Sequence, residues 1–329
     1  GSNETWAARE AKERLIDALD IPYERVIASV FDVDTQIFPE YFGRLSYIFL
    51  TCNDPQRSSY QPVPLFLNNV YNVPIFSRVM SFFPTFWQMM QQSRFEQLST
   101  FTSQAMPFKA LVDIGFWDTD KVSEDSLIFW RFYFHYNGDW RTEPLYYPVS
   151  MDATSAPTFW KTVVSLYKQQ RRWAWGVENI PYMITGFLKN KKISIRKKLL
   201  WTYVFLEGFY SWAVAPLMVF MLGWLPIFLG SHEFTSTLLS YNLPRIAGLA
   251  MNLSVLGLVA SAILSNILLV PKPLWFKKWH YVFYFAQWLL IPLLIMVFSA
   301  IPAIEAQTRM MLGGKFRLGF FPTPKTRRA

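Results

Sequence analysis

The pattern of apolar and polar positions changes character near residue 200. Over residues 1–200 the apolar runs are short and punctuated by Pro, Asn, Asp and Gly, the pattern of an α/β domain. Residues 201–304 are mostly apolar. Three stretches there reach the roughly 20 apolar residues that a bilayer-crossing helix needs: Phe209–Leu229, Ile246–Val270 and Tyr281–Ile304. The competing reading is buried core helices, but core helices seldom run so long without a charge.

Before residue 200 the periodicity predicts a helix over 5–19, capped by Ser2, Asn3 or Thr5. The short β-branched run Val26–Phe31 predicts a buried strand. Pro39 opens a predicted helix, PEYFGRLSYIFL. Residues 52–75, rich in Pro and Asn, predict a loop with short extended pieces. A helix is expected over 76–99, a short one within 109–115, another from near Ser123, strands over 140–149, and a helix over Thr158–Val177. Strands alternating with helices predict an α/β layer with a mainly parallel sheet.

Composition reinforces the division. Hydrophobic residues make up 52%, aromatic ones 18% and charged ones only 17%, an apolar balance for a soluble chain. The net charge of +9 would suit nucleic acid, but its placement argues against that partner. KNKKISIRKK (189–198) lies just before the first apolar stretch, where basic residues mark the cytoplasmic side and attract anionic lipid. PKPLWFKKWH (271–280) separates the second and third stretches, and the tail 313–329 is basic too. With three spans and the first basic run inside, the tail falls outside. Either the tail departs from the positive-inside tendency, or one segment is re-entrant or interfacial. The single cysteine, Cys52, makes no internal disulfide and no zinc cluster. The histidines (His135, His232, His280) are scattered, which argues against a His-based metal site.

Three short motifs carry candidate chemistry. Asp32-Val33-Asp34 follows the predicted strand, where open α/β sheets bind ligands. Two carboxylates can hold Mg²⁺ or Mn²⁺ beside a diphosphate; a turn with solvated Asp is the plain alternative. The phosphatase pattern that also begins with D-x-D fails here, because Gln36 stands where it wants Thr or Val. Ser123-Glu124-Asp125 offers a general base and equally reads as a helix cap with acids in the first turn. In Gln169-Gln170-Arg171-Arg172-Trp173, helical spacing puts Gln169, Arg172 and Trp173 on nearly one face. An Arg fork suits diphosphate oxygens and an indole gives a sugar ring a surface to stack on. A juxtamembrane belt of Arg and Trp is the alternative, especially for Arg171 and Trp175.

Taken in order, D-x-D (Asp32, Asp34), E-D (Glu124, Asp125) and Q-x-x-R-W (Gln169, Arg172, Trp173), with apolar spans following at once, resemble glycosyltransferase family 2. The likeness is to its membrane-embedded members, the cellulose and hyaluronan synthases. DIGFWDTDKVSED and a TPK near the C-terminus agree with it, and the resemblance covers roughly residues 25–329. It implies a partial GT-A-type, Rossmann-like nucleotide-sugar domain (1–188), a basic juxtamembrane segment (189–200), a transmembrane region of about three helices (201–304) and a basic tail (305–329). It also implies a multi-pass membrane protein with its catalytic domain in the cytoplasm. The implied reaction is inverting transfer from a nucleotide sugar, a UDP-sugar first among donors, to a saccharide or lipid-linked acceptor. Asp32 and Asp34 would hold the metal and donor diphosphate, with Gln169 and Arg172 on the leaving side. Asp125 would be the base, supported by Glu124, and Trp173 would hold the acceptor.

The chain departs from that pattern in three places. Ser123 replaces a Thr, and 52–108 lacks the expected glycine-containing acceptor loop. Only one predicted strand precedes Asp32, and the chain opens without Met, so it is expected to be N-terminally incomplete and inactive in isolation. Two other readings remain: a degenerate membrane scaffold that binds partners, and a transporter. Few polar groups in the spans (Glu207, Asn252, Asn266, Gln287) argue against the transporter.

Overall fold

The computed structural model describes residues 1–319 and 321–325, apart from the side chains of 220 and 222–224. Single-turn segments aside, the helices are α1 (Ser2–Ala11), α2 (Tyr41–Thr51), α3 (Ile75–Gln92), α4 (Phe108–Ile114), α5 (Glu124–His135), α6 (Phe159–Ala174), α7 (Asn179–Lys189), α8 (Ile195–Leu229), α9 (Leu238–Ile267) and α10 (His280–Leu312). The strands are β1 (Ile27–Ser29), β2 (Gln36–Ile37), β3 (Ser58–Leu65), β4 (Ala105–Pro107) and β5 (Arg141–Ser150).

The strands form one five-stranded sheet in the order β1-β4-β3-β5-β2. Only the β3–β5 pairing is parallel; β1–β4, β3–β4 and β2–β5 are antiparallel. This corrects the expectation of a mainly parallel sheet. The short β4 returns antiparallel between β1 and β3, so the helices beside it are not crossovers between parallel neighbours. β3 is longer than expected, because its segment read as loop with only short extended pieces. Its two prolines explain the misreading. Pro62 lies at an irregularity in the register between Gln61 and Val63, where a missing N–H costs no ladder bond. The Gln61 amide ties the place together, donating to the Thr102 carbonyl at 3.1 Å and accepting from the Phe101 N–H at 2.7 Å.

Two apolar clusters fix the helices to the sheet. In α5, Leu127, Ile128, Phe129, Trp130, Phe132 and Tyr133 are buried. The Trp130 ring meets Trp201 and Phe205 of α8 edge-on at 5.4 and 5.0 Å. α3 buries Phe76, Val79 and Phe82, and Phe76 stacks on Phe298 of α10 at 5.5 Å. Lys198, from the basic run, donates to the Phe187 and Asn190 carbonyls at 2.6 and 2.7 Å. It therefore caps the end of α7 as well as adding charge.

Among the described residues, α9 and α10 are the helices long and apolar enough to cross a membrane, with mean hydropathy 2.0 and 2.2. The first expected span lies within α8, which is not one of these two. α10 changes pitch twice, through a 3₁₀ turn at Gln287–Leu290 and a π segment at Met296–Ala300.

Candidate active site

Asp32, Asp34, Glu124, Asp125, Gln169, Arg172 and Trp173 all line one cavity of about 2280 Å³. The first acids sit on a turn after β1, closed by the Thr35 N–H donating to the Asp32 carbonyl at 2.9 Å. Val33, at its tip, is fully exposed. Asp34 is anchored. One carboxylate oxygen accepts the Asp152 N–H at 2.8 Å, and the other pairs with the Lys325 ammonium.

The second acids open α5. The Asp125 carbonyl accepts hydrogen bonds from the Thr100 hydroxyl at 2.7 Å and the Gln104 amide at 2.9 Å, which fix the helix start. Ser123 stands at the cap position, but its side chain caps nothing. Its N–H and hydroxyl both donate to Glu178 Oε1, at 3.0 and 2.6 Å. Burial is the main cause that holds the Asp125 carboxyl well above the usual carboxylate range. The charges of Asp32 and Glu124 add to it, and Arg172 opposes it. The three motifs therefore act electrostatically on one carboxyl group, which keeps its proton to higher pH than a surface Asp.

The third group lies on α6, which starts at a genuine cap: Thr158 Oγ1 accepts the Lys161 N–H at 3.3 Å. The Gln169 amide oxygen accepts from the Thr154 hydroxyl at 2.5 Å, so that end of its side chain is committed. The adjacent arginines diverge. Arg171 bonds Glu305 of α10 at 2.5 Å, where Tyr167 and Arg309 join it, while Arg172 stays in the cavity wall. Trp173 packs beside Phe66 and Phe101, at ring distances of 5.8 and 6.2 Å. Trp87 meets Phe101 edge-on at 5.8 Å, and all four rings line the cavity. Trp175 is buried against Ala213, Ala303 and Ala306, so it docks helices and is not part of a surface belt.

Sequence reasoning missed Asp152, Phe66, Trp87 and Phe101, and it noted Lys325 only as part of a motif. Asp152 was findable, because it follows the carboxyl end of β5, where ligands gather. The aromatic wall and the Lys325–Asp34 pair join residues far apart in sequence and leave no local signal.

Among the described residues no group of three or more His, Cys, Asp or Glu is arranged to hold a metal ion. Asp32, Asp34 and Asp152 line the same cavity, where both Asp34 carboxylate oxygens are engaged, one by the Asp152 N–H and the other by Lys325. Comparison with protein-family models and with curated proteins finds no match for this chain.

Proposed function

We propose that this cavity transfers a sugar, with inversion, from a nucleoside-diphosphate donor to an acceptor hydroxyl at the cytoplasmic face of a membrane. The observation that carries the reading is the meeting of two opposite chemistries in one cavity. A raised-pKa carboxyl stands with an aromatic wall, and an arginine lies close enough to act on that carboxyl.

On this reading the acceptor hydroxyl rests against Trp173 and gives its proton to the Asp125 carboxylate as its oxygen bonds to the anomeric carbon. The bond from that carbon to the diphosphate oxygen breaks, and the leaving diphosphate keeps the electron pair. Arg172 meets the charge that builds there. Burial, with the charges of Asp32 and Glu124 adding to it, makes Asp125 a stronger base than a surface Asp and so a better acceptor for that proton. Asp32 and Asp34 would hold Mg²⁺ or Mn²⁺, which would supply further positive charge to the donor phosphates.

Asp125→Asn should lower transfer about a thousandfold, within the range of a lost general base, and leave the fold intact by circular dichroism. Transfer persisting in that variant would remove Asp125 from the chemistry. One observation favours a second reading, a scaffold that has lost catalysis: Lys325 already occupies one oxygen of Asp34, where a donor-bound cation would sit. Titration with Mn²⁺ and a UDP-sugar separates the two readings. Mutually enhanced binding of the ion and the nucleotide supports the enzyme, and independent or absent binding supports the scaffold.

A further inference from the structure

The cavity does not end at the acids. It continues between α8, α9 and α10, where its wall changes chemistry. Near Asp125 the lining is charged and aromatic. Farther along it is built by Ala215, Val219, Met251, Val255, Leu258 and Ile295. Beyond Trp212 no ring of α8, α9 or α10 lines it among the described residues, while Phe83 of α3 lines the cavity and shares a cluster with Leu258 and Ile291. Of the polar groups there, Ser254 turns its hydroxyl back to the Ala250 carbonyl at 2.9 Å, Ser299 accepts from the Trp212 indole at 2.7 Å and Ser211 donates to Glu207 at 2.7 Å; Asn252 and Ser261 also line it.

Glycines hollow the arm. Small residues on adjacent apolar helices usually let the backbones close together. Here a Cβ added at Gly208 or Gly257 would meet nothing within 4 Å, and both residues line the cavity. The space these residues free is left open and runs into the candidate active site. A passage with a polar, catalytic end and an apolar arm fits one molecule of matching polarity. We propose that the acceptor is a membrane amphiphile whose hydroxyl-bearing head reaches Asp125 and Trp173 while its hydrocarbon chain lies in the arm between α8 and α9. The proposal rests on the transfer reading for its head group and on the cavity alone for its chain.

The test uses the chain in phosphatidylcholine vesicles with two probes. A hexadecyl glucoside carrying a chain-end diazirine is photocrosslinked and mapped by mass spectrometry. Labelling is expected on Met251 and Val255. It should be lost in Gly257→Trp, while the outward Leu253 and Leu256 remain labelled by bulk contact. Labelling confined to the outward residues, or unchanged by Gly257→Trp, overturns the proposal. Transfer is then compared for hexadecyl glucoside and methyl glucoside. Filling the arm should slow transfer to the hexadecyl acceptor about tenfold or more, in line with the cost of obstructing an apolar pocket, and leave the methyl acceptor nearly unchanged. Equal slowing of the two acceptors by Gly257→Trp overturns the lipid seat and leaves the transferase standing. Transfer to neither acceptor by the unaltered chain leaves the crosslinking map to decide the lipid seat by itself.

Discussion

Helices α5 and α9 are both rich in large apolar side chains, yet they meet opposite fates. In α5, Leu127, Phe129, Trp130 and Phe132 are at most 1% exposed. In α9 the buried positions are Ser240, Ala247, Ala262 and Ser265, all small, while Leu249, Leu253 and Leu256 are 62%, 61% and 69% exposed. α5 has partners of matching shape on α7, α8 and the sheet. α9 presents its bulk outward and its small residues to its neighbours. Each leucine left in water forgoes roughly 1.5–3 kcal/mol of burial, so a row of them is costly unless the surroundings are themselves apolar. Apolar content by itself does not define a core. Which side the small residues face shows whether a helix was built to pack inward or to meet another solvent.

The comparison predicts unequal costs. Trp130→Ala removes a ring that touches α7 and α8 at once, and should destabilise the fold by about 3–5 kcal/mol, the range for a buried aromatic. Leu253→Ala, on the outward face of α9, should cost far less. Thermal unfolding in detergent micelles measures both. Similar losses would mean that α9 is packed against something in the native state and that the contrast is false.

A second change sharpens the meaning of the outward face. Leu256→Arg places a charge in the middle of α9. If hydrocarbon surrounds that helix, insertion loses about 2.5–3.5 kcal/mol, and a measurable share of the chain becomes extractable from membranes by alkaline carbonate. If α9 faces water, the variant should behave as the unaltered chain does. The same result would also remove the bilayer from the account of the apolar arm.

How much of this could be read from sequence follows from how local each feature is. The acids after β1, the acids opening α5 and the cation–indole group on α6 are each written within a few residues at the end of an element, and all three were found. Their meeting in one cavity was expected only through the family resemblance and not from spacing, because it depends on β4 pairing antiparallel with β1 and on α5 docking to α8. Arg171 and Arg172 show the limit well. They are chemically identical neighbours, about 100° apart around a helix; helical spacing already sets Arg172 with Gln169 and Trp173, but the Glu305 partner that ties Arg171 to α10 is visible only in the fold. β3 was hidden for another reason. Pro62 and Pro64 are loop residues by propensity, and tertiary pairing with β5 overrode them at a place where Gln61 and the register irregularity absorb the missing donor.

The smallest effect expected concerns the first turn of α5, where the well-packed helix carries its one ill-placed charge. Burial, with Asp32 and Glu124 nearby, raises the Asp125 carboxyl above its unfolded value despite Arg172. The folded state therefore holds this proton to higher pH than the unfolded chain does. Between the ordinary carboxylate range and the raised value the unfolded state binds fewer protons, so stability falls as pH rises through that window and stays lower above it. Asp125→Asn cannot ionise. Relative to the native chain it should gain stability at neutral pH, and the difference should vanish in acid, below the unfolded carboxylate range, where both side chains are neutral. Melting temperatures of the two chains across that range measure it. A stabilised, inactive variant would show that the cavity keeps a carboxylate there at the expense of the fold, as a site selected for proton transfer does. A variant less stable at neutral pH would mean that Asp125 is held mainly by favourable contacts, with Arg172 the first candidate, and that its charge belongs to the architecture of α5 and not to the chemistry of the cavity.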